Sequence, residues 1–219
     1  MARTVRLGRR EIEVRKILCV GRNYAAHAAE MGAAPPDEPV FFLKPSTALA
    51  HPSGGDLFIP EEWGLLHHEV ELALLLGGGG RDLSPGEAGE AVLGCAVALD
   101  LTLRDVQSRA KKAGGPWTVA KGFDGSAPVG GFLPVSSLKD LGDLALTLSV
   151  NGEVRQASRT SRMIFSPAEL VAHASSRMTL EEGDLLFTGT PEGVGPLVDG
   201  DRVVASLEGL PDLTLTLRR

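Results

Sequence analysis

Residues 66–76 read Leu66-His67-His68-Glu69-Val70-Glu71-Leu72-Ala73-Leu74-Leu75-Leu76, and the class of the domain follows from this stretch. It is a near-continuous apolar run of strand length into which two carboxylates are set two positions apart. The run Gly77 to Gly80 is expected to end the strand. In a strand, residues two apart point to the same face, about 6–7 Å from each other, whereas in a helix they diverge. Glu69 and Glu71 can therefore share one cation. His67 falls on their face and His68 on the opposite one; adjacent strand histidines cannot both reach one ion, so a structural role is expected for the pair.

Working outward, most of the chain alternates with period two between turn signals. Val5 and Leu7 with Ile12 and Val14 flank Gly8-Arg9-Arg10 as an opening hairpin, and Ile17 to Val20 is a short apolar strand. Asn23 is expected to cap a short Ala-rich helix from Tyr24 to about Met31, before Pro35 and Pro36. Val40 to Leu43 and Leu57 to Ile59 are further strands, a short helix follows Pro85, and Val92 to Leu101 reads as a buried strand whose one charge is Asp100. Arg104 to Lys112 is helix-like. Leu144, Leu146, Leu148 and Val150 alternate into Asn151-Gly152, a strong hairpin signal. Ser166-Pro167-Ala168-Glu169 is a capping box opening a helix to about Ser175. Strands at 185–187, 203–207 and 213–217 close the chain. The expected fold is α+β and strand-dominated, with short peripheral helices.

The chain has 219 residues, a length expected to form one domain, 1–219, with a short strand region at 1–16. Hydrophobic residues make up 43% and charged residues 23%, ordinary globular usage that argues against long disorder. The net charge of −6 disfavours a nucleic-acid or anionic-lipid footprint. No apolar run approaches the roughly 20 residues of a membrane span. Cys19 and Cys95 form neither a zinc motif nor a disulfide framework, and Glu11 and Glu13 interrupt any signal-peptide core, so a cytoplasmic protein is expected.

Three core carboxylates, Glu69, Glu71 and Asp100, with no cysteine cluster favour a hard ion, Mg²⁺ or Mn²⁺, over zinc. The alternative is a wet edge-strand face salt-bridged to nearby arginines. His27 and Glu30, three apart on the short helix, can form a dyad that activates water, or can be solvated surface charge. Lys121, in a mainly apolar context, can neutralise a substrate carboxylate or oxyanion, or can snorkel from a strand edge. Arg22 is a weaker candidate of the same kind. Thr188 to Gly195 is a glycine-rich loop that could grip an anion or form a tight turn; it is neither a P-loop nor a G-x-G-x-x-G fingerprint, which disfavours nucleotide binding.

Five stretches occur together: VGRNYAAHAAEMG from Val20, HHEVELALLLG from His67, ALDLTLRDVQSRAKKAGGPWTVAKGFDGSAPVG from Ala98, NGEVRQASRTSRMIF from Asn151 and GDLLFTGTPEGVGPL from Gly183. Together they resemble the fumarylacetoacetate hydrolase family, in its short single-domain acylpyruvase and oxaloacetate decarboxylase branch. The resemblance implies a mixed β-roll around one divalent ion per subunit, held by Glu69, Glu71 and Asp100, usually in a homodimer. It further implies that Lys121 is the active-site lysine, that His27 and Glu30 are the water-activating pair on a lid helix, and that Arg22, Gln107 and Thr190 hold a small 2-oxo acid. The implied reaction is hydrolysis of an acylpyruvate to a carboxylate and pyruvate. Oxaloacetate decarboxylation, or isomerisation of the 2-hydroxyhepta-2,4-diene-1,7-dioate type in aromatic catabolism, would use a similar enolate, and a non-catalytic 2-oxo acid binder is the remaining alternative.

Overall fold

A computed structural model describes residues 3–52 and 54–219. Its main sheet has six strands in the spatial order Leu133–Pro134, Val92–Leu99, Val70–Gly80, Leu180–Phe187, Ile17–Gly21 and Val40–Lys44. All pairings in it are antiparallel except Leu180–Phe187 with Ile17–Gly21. A second sheet runs Glu153–Arg159, Ala145–Val150, Arg202–Leu207, Leu213–Arg218 and Asp56–Phe58.

The period-two pattern sorts the side chains of the main sheet into two cores. Leu72, Leu74 and Leu76, with Val97 and Leu99, face Leu146, Leu148, Val203 and Leu215 of the second sheet. Ala73 and Leu75 point the other way, into a smaller core with Ile17, Cys19, Ala96, Ala98 and Phe187. Glu71 has the parity of Ala73 and pairs in register with Ala98, so small alanines leave room around its carboxylate at the end of the smaller core.

The expected helices and hairpins form, with two corrections at the decisive strand. It is not one strand: Leu66–His68 pairs with Thr102–Leu103 and Gly195–Pro196 in a separate three-stranded sheet, and Val70–Gly80 belongs to the main sheet. Glu69 occupies the break. The glycine run, expected to terminate the strand, continues it to Gly80 because Gly77 and Gly80 still pair with Leu180–Phe187. Glycine is required at Gly77, where a Cβ would stand 2.4 Å from the Leu93 side chain.

Asn23 does not cap its helix. The helix is Ala25–Glu30 with Tyr24 at the cap position and no side-chain cap. Asn23 is instead fully buried, donating to the carbonyls of Phe165 and Thr188 and accepting from the Phe165 N–H. It thereby ties the start of the helix to the loop at 188–195. Capping boxes do form at Ser84/Glu87 and Ser166/Glu169.

Candidate active site

Glu69 at the strand break, Glu71 two residues on, and Asp100 just past the Val92–Leu99 strand converge. Ligand atoms of the three lie within 4.8 Å of one another, and all three side chains are buried. The break helps: the Asp100 N–H donates to the Glu69 carbonyl at 2.8 Å, joining the two ligand-bearing turns through the main chain.

Three buried or nearly buried cations surround the carboxylates. Lys121, on the short helix Thr118–Lys121 and not a strand edge, donates to Glu69 Oε2 at 2.7 Å and Asp100 Oδ2 at 2.5 Å. Its ammonium has one hydrogen left to offer. Burial would lower its pKa, but Asp100 and Glu69 outweigh burial and raise it, so Lys121 is a fixed positive charge and not a base. Lys44 reaches Asp100 Oδ1 at 2.8 Å, and Arg104 pairs with Glu69 Oε1 while donating to Gln107 Oε1 at 2.7 Å. Neither Lys44 nor Arg104 is conspicuous in the sequence. Lys44 ends the apolar run Val40–Lys44, and Arg104 stands one helical turn before Gln107, which are the only local signals of their position.

Burial pushes the Glu69 pKa up, but the charges of Lys121 and Arg104 prevail and hold it well below the carboxylate range. Glu71 differs. It accepts one hydrogen bond, from the Gly189 N–H at 2.7 Å, and among the described residues no cation lies within ion-pair distance of it. Burial, with Asp100 and Glu69 as like-charged neighbours, raises its pKa well above the ordinary value. A hard divalent cation between the three carboxylates would supply the charge that Glu71 lacks, so the donor set fits one. Three cationic side chains already balance three carboxylates; a dication would leave the cavity positive, the polarity an anionic ligand needs.

A cavity of about 370 Å³ opens on this cluster and is lined by Arg22, His27, Gln107, Lys121 and Thr190 together with all three carboxylates. Phe42, Trp117 and Met31 form its apolar wall. His27 is 6% exposed, and its Nδ1 lies 3.2 Å from Glu30 Oε2, a carboxylate that can only accept, so Nδ1–H is the donor and, in the neutral ring, Nε2 carries the lone pair. Glu30 does not line the cavity but also accepts from the Gly193 N–H at 3.1 Å. Gly193 has a φ of 89°, and a Cβ there would meet the Arg155 carbonyl at 2.1 Å. His67 and His68 stand outside this lining; His68 Nδ1 is 3.0 Å from Gln156 Oε1, a structural contact.

A buried carboxylate triad at the end of the smaller core, a charged lysine between two of its members and a histidine–glutamate pair on a short helix over one cavity define a strand-dominated α+β fold whose acidic triad could hold a divalent ion. The chain belongs to the fumarylacetoacetate hydrolase family: the family model described as fumarylacetoacetate (FAA) hydrolase C-terminal matches residues 16–218. It is 48% identical to oxaloacetate tautomerase FAHD1, mitochondrial, of Bos taurus over 94% of this chain and 92% of that protein. Similar likeness, 49% over 90% of each chain, is found to oxaloacetate tautomerase YcgM of Escherichia coli, and 47% over 90% of each to the mitochondrial oxaloacetate decarboxylase of Dictyostelium discoideum. Among solved structures, the fumarylpyruvate hydrolase of Pseudomonas aeruginosa in complex with Mn²⁺ and pyruvate superposes with a TM-score of 0.94 at 40% identity, covering 99% of this chain and 96% of that one. The chain is thus an enzyme of this family. No helix among the described residues is long and apolar enough to cross a membrane.

Proposed function

We propose that the protein hydrolyses the C–C bond of acylpyruvates, giving a carboxylate and pyruvate, with Glu69, Glu71 and Asp100 holding Mg²⁺ or Mn²⁺. The observation that carries this reading is the His27–Glu30 pair at 3.2 Å, with His27 lining the same cavity as the three carboxylates. A bound divalent ion would polarise the 2-oxo acid end of the substrate as a Lewis acid.

The chain's own groups supply the rest. Arg22, Gln107 and Thr190 hold the carboxylate and oxo groups, and the free hydrogen of Lys121 offsets negative charge as it develops. His27 Nε2 takes a proton from water while Glu30 fixes the ring and stabilises the imidazolium. The hydroxide so formed adds to the distal acyl carbonyl, and the bond between that carbon and the methylene breaks. One fragment leaves as a carboxylic acid. The electron pair stays with the three-carbon fragment as its enolate, which is protonated at carbon to give pyruvate. Binding alone requires no such base, which weighs against a non-catalytic 2-oxo acid binder.

A second reading, enolate chemistry on oxaloacetate by decarboxylation or tautomerisation, is favoured by the relatives at 47–49% identity, whose names carry those activities. The two are separated by stripping the protein with chelator and restoring Mg²⁺ or Mn²⁺. The ultraviolet signals of acetylpyruvate and oxaloacetate are then followed in parallel, with pyruvate assayed as product. Metal-restored cleavage of acetylpyruvate is the expected outcome. Turnover of oxaloacetate alone would make the second reading primary.

A further inference from the structure

The stretch NGEVRQASRTSRMIF contributes no group to the metal cluster or the cavity lining, yet it places one buried glutamine at a junction of the site. Gln156, 1% exposed, lies on the Glu153–Arg159 strand of the second sheet. Its Oε1 accepts from the Val70 N–H at 3.1 Å and faces His68 Nδ1 at 3.0 Å. Its Nε2 donates to Thr190 Oγ1 and to the Pro191 carbonyl, both at 2.9 Å. Val70 N–H and Pro191 C=O are main-chain groups of fixed polarity, so only one orientation of the amide satisfies both. All four contacts are buried, and an amide deprived of them would leave several polar groups unpaired.

The position of these contacts matters more than their number. Val70 follows the strand break that presents Glu69, and Thr190 and Pro191 belong to the loop whose preceding N–H, at Gly189, holds Glu71. Thr190 Oγ1 also donates to the Val70 carbonyl at 2.8 Å. Its one proton is thereby committed to Val70, and one of its lone pairs to Gln156. The hydroxyl that faces the cavity has no hydrogen to give an anion. The main-chain N–H of Thr190, in contrast, has no acceptor among the described residues.

We infer that Gln156 is a positioning residue that locks the Thr190 turn against the Glu69 break, so that Thr190 meets an anionic ligand through its main-chain N–H and not its hydroxyl. This rests on the 2-oxo acid reading for the ligand alone; the locking of the turn stands apart from it. The metal ligands are less dependent on Gln156, because Lys121 and Arg104 hold Glu69 independently.

Gln156→Glu tests this with little change of shape, since a carboxylate still accepts from Val70 and His68 but cannot donate to Thr190 or Pro191. Calorimetry on the Mn²⁺-loaded protein, with oxalate as probe, is expected to show binding weakened about tenfold, while Mn²⁺ affinity stays within about threefold of wild type. Thr190→Val should weaken oxalate by a similar factor, and the double variant should be no weaker than either single one, because both break one network. Factors that multiply in the double variant would mean that the hydroxyl binds the ligand directly, and would overturn the assignment. Gln156→Leu and hydrogen exchange supply the readout that needs no ligand. In metal-free protein, exchange at residues 188–195 should rise in either Gln156 variant while the amides of 72–76 stay protected. Unchanged exchange in that loop would sink the locking role, whereas failure of wild type to bind oxalate would sink only the 2-oxo acid reading.

Discussion

The two halves of the site are anchored in the fold in different ways. The carboxylate half is set into the end of a core: Asp100 and Glu71 are each 1% exposed, and every cation around them is fixed by a second contact. The histidine half rides on the six-residue helix Ala25–Glu30, too short to be stable alone, and is tied to the opposite loop by Glu30 through hydrogen bonds of 3.1 and 3.3 Å. The charges of the first half are fully enclosed by the fold and by one another. The group that the proposed reading asks to cover the ligand sits on a short helix whose start is anchored by Asn23 and whose end is held by Glu30.

The sharpest way to break this contrast is Asp100→Asn. It strips Lys44 and Lys121 of a buried partner, so we expect retention of added Mn²⁺ to be lost and stability to fall by about 3–5 kcal/mol, read by calorimetry and chemical denaturation. His27→Ala strikes the other half alone. Turnover of acetylpyruvate should fall about 10²–10⁴-fold with Mn²⁺ affinity and melting temperature unchanged. A loss of metal affinity in that variant would show that the halves are not separate. Lys44→Met, which removes a contact to Asp100 without taking away a metal ligand, should weaken Mn²⁺ binding by about 10–100-fold.

The smallest effect sharpens the contrast instead of breaking it. Cys95 is fully buried, and burial pushes its thiol up to about 11. At pH 8 it should therefore resist alkylation on the timescale in which amides of 25–31 exchange fully. Labelling of Cys95 as fast as that exchange would mean that the sheet opens as readily as the helix.

Much of this was legible in the sequence because it is written in local periods. The Glu69–Glu71 spacing, the Asn151-Gly152 turn and the capping box at Ser166/Glu169 each need only a few neighbouring residues to be read. Lys44 and Arg104 were hidden because their partners lie 56 and 35 positions away, and a lysine before a proline or an arginine at a helix start looks like ordinary surface. The strand break at Glu69 was hidden for a related reason. There the Val70 N–H is taken by Gln156, 86 residues on, and no property of residues 66–76 announces that. Asn23 failed differently: its type suits a helix cap, but a buried site with three main-chain partners outcompetes one exposed turn.

Glu30 bonds at once to His27 and to Gly193. If the helix lifts as a unit, the Gly193 contact breaks, while the His27–Glu30 contact, made within one helix, travels with it. The imidazole then keeps its carboxylate whether the cleft is open or covered, and what seating the helix adds is the anchor at Gly193 and a roof over the cavity.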